Sequence, residues 1–253
     1  MSFTVVIPAR YGSTRFPGKA LALIGGTPMV LRVHSQAAQS GARRVLVATD
    51  DRRIHACCID AGVDVVMTSD RHPSGTDRLA EVVEQLQLPD DEVVVNVQGD
   101  EPLMPSELVD QVGLALLNQP QAAMATLCQP LSQLSDFVDP NVVKVVRDES
   151  GQALYFSRAP IPYPRDLGLE DTEAFASSGC PAARHIGIYA YRAGLLREFV
   201  RWAPVELERC EMLEQLRMLA KGVRIVVELA QVTPPPEVNT PADLERVNQL
   251  LGD

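Results

Sequence analysis

The chain has 253 residues, 46% of them hydrophobic, which is enough for a substantial core in one large domain or two small ones. Its 33 acidic and 23 basic residues leave a net charge of −10, which repels nucleic acid and anionic membrane, so any phosphate site must be local. Five scattered cysteines (Cys57, Cys58, Cys128, Cys180, Cys210) form no CxxC pair, no run reaches the ~20 apolar residues of a membrane span, and Met1-Ser2-Phe3-Thr4 does not read as a secretory leader. Reduced thiols and a cytoplasmic location are expected.

Short apolar runs alternate with helical patterns through the first half. Phe3–Ile7, Val45–Ala48, Val63–Met67 and Val93–Val97 read as strands, and segments near 28–40, 51–61, 77–87 and 105–117 as helices. This rhythm predicts an α/β fold with a mostly parallel central sheet. The strands are apolar almost throughout, as sheets covered on both faces require. Ligands of such sheets bind beyond the carboxyl ends of the strands.

After about residue 120 the rhythm changes. Ala122–Leu127, Val142–Val146, Ala153–Phe156 and Ile186–Tyr191 read as strands in a mixed region, and the aperiodic stretch 163–184 as a mobile loop suited to a lid. Helices are expected near 193–201 and 206–221, then a strand at 224–229. Thr240-Pro241-Ala242-Asp243 opens a final helix with a capping-box pattern, which explains Asp243 structurally.

Four segments carry chemistry. Following the first strand, Ala9-Arg10-Tyr11-Gly12-Ser13-Thr14-Arg15-Phe16-Pro17-Gly18-Lys19 holds three cations, two glycines and no acid. Glycines let backbone N–H groups approach phosphate oxygens, and Arg10, Arg15 and Lys19 can neutralise a triphosphate, which favours a phosphate site over an ordinary basic loop. Asn96-Val97-Gln98-Gly99-Asp100-Glu101-Pro102 places Asp100 either as a carboxylate for a phosphate-bridging cation or as a simple turn residue. Ser74-Gly75-Thr76-Asp77-Arg78 is a helix start, with Thr76 the expected N-cap, that could also read a base. His185 and Tyr189 read as core residues of a strand, and Glu211, Glu214 and Gln215 as the solvated face of one helix.

Taken together, IPARYGSTRFPGK at 7–19, SGTDRLAEV at 74–82, VVNVQGDEP at 94–102, ALYFSRAPIP at 153–162, RHIGIYAYRAG at 184–194 and LEQLR at 213–217 closely resemble the 3-deoxy-manno-octulosonate cytidylyltransferases, or CMP-Kdo synthetases. The resemblance implies a Rossmann-like nucleotide-diphospho-sugar transferase fold: one domain over 1–253, nucleotide-binding mainly in 1–120, sugar-binding and dimerisation in 121–253. It implies a cytoplasmic, magnesium-dependent homodimer that joins CMP from CTP to the sugar acid Kdo for lipopolysaccharide. By the same resemblance, Arg10, Ser13, Arg15 and Lys19 contact the triphosphate, and Ser74, Gly75 and Arg78 face the cytidine. Asp100 binds magnesium, and Gln98, Arg158, His185, Tyr189, Glu214 and Gln215 form the sugar-acid pocket.

The chain departs from the family pattern at one position. Asn239 stands where the family usually has Asp as a second magnesium ligand; its amide oxygen can still coordinate, but without the charge. Cytidylyltransferases for 8-amino Kdo or sialic acids share the loop and the reaction, and a silent nucleotide-binding module could keep the loop while losing the metal.

Overall fold

The computed structural model describes residues 2–12, 16–167, 169 and 171–252. In chain order the elements are β1 (Thr4–Ala9), a 3-10 turn (Lys19–Leu21), a small hairpin of β2 (Leu23–Ile24) and β3 (Thr27–Pro28), α1 (Met29–Ala37), β4 (Arg44–Thr49), α2 (Arg52–Asp60), β5 (Val65–Met67), α3 (Gly75–Gln85), β6 (Val93–Asn96) and α4 (Ser106–Leu117). Then come β7 (Met124–Pro130), α5 (Leu134–Val138), β8 (Lys144–Arg147), β9 (Ala153–Ser157), α6 (Thr172–Ser177), β10 (Ala183–Arg192), α7 (Ala193–Phe199), α8 (Glu206–Glu211), α9 (Gln215–Ala220), β11 (Ile225–Leu229) and α10 (Pro241–Gly252).

Nine strands form one sheet, with main order β11-β7-β10-β6-β1-β4-β5 among the described residues. Strands β6, β1, β4 and β5 pair in parallel, as do β11 and β7, while β10 runs antiparallel between β6 and β7. Along that path β10 is the reversed strand that joins the two parallel blocks, so one sheet runs through both halves of the chain. The apolar strands are covered on both faces. Val5, Ile7 and Val95 pack with Val30 of α1 and Leu108 of α4, and Val6, Leu46 and Val94 pack with Leu79 of α3 and Leu196 of α7.

Three expectations are corrected. Residues 163–184 are not loop throughout: α6 carries Phe175 onto Phe137 of α5 with ring centroids 4.8 Å apart, so hydrophobic burial orders this part. The helix expected over 206–221 is two, because Met212 adopts φ 53°, ψ 47° and turns the chain between α8 and α9. The N-cap of α3 is Ser74, whose Oγ accepts from Asp77 N, and not Thr76, whose side chain points to another partner described below. The capping box of α10 forms as expected: Asp243 Oδ2 accepts from Thr240 N at 2.9 Å, and Asp243 N donates to Thr240 Oγ1 at 3.2 Å.

Candidate active site

The carboxyl ends of β1, β4 and β6 bring their following loops together at one edge of the sheet, as a parallel α/β sheet requires. Gly18 closes the loop after β1 in the left-handed region (φ 73°), donating its N–H to Tyr11 O at 3.0 Å, a conformation that favours glycine. Gly99 after β6 has a different reason to lack a side chain: a Cβ there would sit 2.7 Å from Pro8 O. The loop after β6 therefore lies against the backbone at the end of β1. Between the loops after β1 and β6, Lys19 Nζ donates to Asp100 Oδ2 at 2.8 Å.

Two cavities open here. The first, of ≈ 230 Å³, is bordered by Arg10, Lys19, Ser74, Gly75, Arg78 and Asp100. The second, of ≈ 660 Å³, has Gln98, Arg158, His185, Tyr189, Glu214, Gln215 and Asn239 on its walls. Gly75, Gln98 and Asp100 belong to both, so the cavities abut there. Every site residue expected from the sequence that the structure describes lies on one of these walls. Ser13 and Arg15 lie outside the described residues.

In the first cavity, Arg10 is exposed just past β1 and supplies a cation to the wall. Arg78 is only 4% exposed, and its guanidinium donates to Asp50 Oδ2 at 2.6 Å and to Thr68, so it also braces the ends of β4 and β5. Ser74 lies at the amino end of α3, where main-chain N–H groups favour negative charge.

The second cavity is held by bonds that the sequence does not advertise. Thr76 Oγ1 donates to Glu214 Oε2 at 2.8 Å, tying α3 to the turn before α9. Arg158 donates through Nε to Glu211 O at 2.7 Å and through Nη1 to Pro140 O at 2.9 Å. Beneath it, Lys144 is fully buried and donates to Asp139 O and Arg158 O at 2.8 and 2.6 Å. These carbonyls offset part of the cost of burying an ammonium, and burial lowers its pKa. His185 Nε2 lies 3.0 Å from Thr126 Oγ1, which itself bonds Ile186 O and Ile188 O at a register shift of β10. The hydroxyl has one proton for three acceptors, and when that proton goes to a carbonyl the bond to His185 is made by donation from Nε2. Burial lowers its pKa to about 3, with Arg184 adding to the shift, so the ring is neutral at ordinary pH.

Near the shared wall, Val238 N donates to Asp100 O at 2.9 Å, which carries Asn239 to the cavity that Asp100 borders. Asn239 Nδ2 donates to Glu237 Oε2 at 3.0 Å. Glu101 is 6% exposed, and burial, with Glu237 and Asp100 nearby, pushes its pKa well above the usual carboxylate range. Sequence reasoning did not single out Glu101, Glu237 or Lys144. Glu101 stood inside a quoted motif, Glu237 lies two residues before Asn239, and Lys144 read as an ordinary strand residue.

Among the described residues, no three His, Cys, Asp or Glu side chains group as a ready-made metal site. Asp100 and Asn239 fit magnesium instead as an ion held by few protein oxygens, with substrate phosphates and water completing its shell. No helix among the described residues is long and apolar enough to cross a membrane.

A cytidylyltransferase family model matches residues 4–225. The 3-deoxy-manno-octulosonate cytidylyltransferase of Pseudomonas syringae pv. syringae (strain B728a) is 55% identical over 250 residues, 99% of this chain and 98% of that one. The enzyme of the same name from Hahella chejuensis (strain KCTC 2396) is 52% identical over 251 residues, again 99% and 98% of the two chains. The solved structure of a CMP:2-keto-3-deoxy-manno-octonic acid synthetase complexed with CTP superposes with a TM-score of 0.90 at 38% identity, covering 100% of this chain and 99% of that one. The family model, the identity over nearly the full length of both chains and the superposition agree, and the chain belongs to the 3-deoxy-manno-octulosonate cytidylyltransferases of the cytidylyltransferase family.

Proposed function

We propose that this chain transfers CMP from CTP to the anomeric hydroxyl of Kdo, giving CMP-Kdo and pyrophosphate for lipopolysaccharide synthesis in the cytoplasm. The observation that carries the reading is the pair of abutting cavities, one cation-lined and one polar and aromatic, which meet at Gly75, Gln98 and Asp100. Two substrates seated side by side would react across that boundary.

In the step proposed, the anomeric hydroxyl gives up its proton to solvent as its oxygen bonds to the α-phosphorus, the bond from that phosphorus to the β-phosphate oxygen breaks, and pyrophosphate leaves with its electron pair. Such transfers depend on positioning and charge neutralisation more than on a covalent nucleophile. Lys19 and Arg10 are the described cations suited to the leaving pyrophosphate, and the amino end of α3 with Ser74 and Gly75 to the nucleotide. Arg158, Gln98, Gln215 and neutral His185 would orient the sugar acid by hydrogen bonding. Magnesium, when bound, neutralises phosphate charge and acidifies a coordinated hydroxyl. Asp100 and Asn239 would hold it. A homodimer through the second half of the chain belongs to the same reading, supported by Leu154 and Met212 of that half, which are 61% and 76% exposed.

Pyrophosphate release from CTP, measured with and without Kdo and with chelator, tests the proposal. The expected result is release that needs both Kdo and magnesium and prefers CTP over the other nucleotides. Release without Kdo, or full activity in excess chelator, contradicts it, and binding of CTP without turnover would indicate a silent nucleotide-binding protein.

A further inference from the structure

Glu237 has no part in the reading above, yet it borders the same cavity as Asp100, Glu101 and Asn239. An exposed Glu is ordinarily a solvated surface charge, but this one is tied down: its Oε2 accepts from Asn239 Nδ2 at 3.0 Å. The strap between the two is also fixed, because buried Val238 donates its N–H to Asp100 O at 2.9 Å. The Glu237 carboxylate is thus carried to the Asp100 side of the cavity.

An independent observation points to a ligand at this place. Glu101, 6% exposed and on the same wall, has a buried Oε2 with no hydrogen-bond partner. A buried carboxyl oxygen without a donor is costly unless a positive group faces it. Lys19 does not, since its ammonium donates to Asp100. Oxygen donors from Asp100, Glu237 and Asn239, lining the cavity that Glu101 also borders, suit a hard divalent cation.

We propose that Glu237 is the second carboxylate of the divalent-cation site, supplying with Asp100 the charge that the amide of Asn239 lacks. The inference rests on the magnesium-dependent reading of this site. Two carboxylates, one amide oxygen and the phosphates of CTP make a usual magnesium shell.

The test is a titration of the full-length protein with Mn²⁺ alone, followed by loss of the free-ion electron paramagnetic resonance signal, for wild type, Asp100→Asn, Glu237→Gln and Glu237→Gln with Asn239→Asp. Glu237→Gln is expected to weaken Mn²⁺ binding ~10-fold or more, and adding Asn239→Asp to return it towards wild type. Equal Mn²⁺ affinity in Glu237→Gln and wild type, with Asp100→Asn weakened, would overturn the role of Glu237 and leave the magnesium reading standing. No Mn²⁺ uptake by wild type, together with full turnover in excess chelator, would overturn both. If the ion enters only with nucleotide, the magnesium midpoint of turnover at saturating CTP decides: a raised midpoint in Glu237→Gln supports the proposal, and an unchanged one overturns it.

Discussion

Lys19 and Asp100 are joined by a 2.8 Å ion pair that spans from the glycine loop after β1 to the loop after β6. The pair is partly exposed, with 15% and 28% of the two side chains accessible, so solvent screens it and it adds about 1 kcal/mol or less to stability. Its value lies in holding a cation and a carboxylate ready at the boundary of two cavities.

Lys19→Ala is accordingly expected to lower Kdo-dependent turnover by ~10²–10³-fold, the usual effect of removing one donor to transition-state charge, while thermal stability barely moves. Asp100→Asn is expected to be at least as damaging. Steady-state kinetics alongside a melting curve for each variant checks both. A Lys19→Ala protein that melts far below wild type, or keeps near-normal turnover, would show the pair to be structural.

Gly99 gives a different kind of expectation. A methyl there meets Pro8 O at 2.7 Å, so the ends of β1 and β6 must separate, whereas a methyl at Gly12 meets nothing within 4 Å. Forced overpacking of this kind costs ~1–3 kcal/mol, and the shift would move Asp100 away from Lys19. Gly99→Ala should lose both stability and turnover, and Gly12→Ala should keep its stability. Equal denaturation midpoints for the two variants would refute the argument.

Arg217 and Glu208 form a buried ion pair that bridges α8 and α9 across the Met212 turn, with Nε donating to Oε2 at 2.7 Å and a second bond from Nη2 to Oε1. Removing one partner strands the other, so Glu208→Ala is expected to cost ~3–5 kcal/mol. The turn that carries Glu214 and Gln215 should loosen with it and raise the Michaelis constant for Kdo. A denaturant titration that shows a loss below ~1 kcal/mol would mean that water reaches Arg217.

What was legible in the sequence was what periodicity and punctuation encode. The apolar runs became strands β1, β4, β5 and β6 to within a few residues, and Thr240 with Asp243 capped α10 as its spacing required. Long-range partners were not legible. Nothing local to Met212 announces a positive φ, because the helical pattern continues on both sides of it. Thr76 reads as a cap until Glu214, distant in sequence, is seen to accept its proton. Glu101 and Glu237 looked like ordinary acidic residues because burial and a shared cavity are properties of the folded chain.

The last expectation concerns His185, which is buried, neutral and bonded to Thr126. In the unfolded chain the imidazole takes a proton near 6.5, but in the folded protein not until about 3. Between those values the unfolded state binds one more proton, so stability is full above about 6.5 and falls as the pH drops below it. The slope from this residue is ~1.4 kcal/mol per pH unit. His185→Gln removes the titration while keeping an N–H that can reach Thr126, and His34, also shifted down by burial, is common to both proteins and cancels. The stability lost between pH 7.5 and 5 should therefore be smaller in His185→Gln by ~2 kcal/mol, read from denaturant titrations of both proteins at the two pH values. In the same variant the Michaelis constant for Kdo should rise while that for CTP stays nearly constant, since His185 borders the second cavity and not the first. Identical pH dependence of the two proteins would mean that His185 already titrates normally in the fold, and parallel changes in both Michaelis constants would remove it from the sugar-acid side.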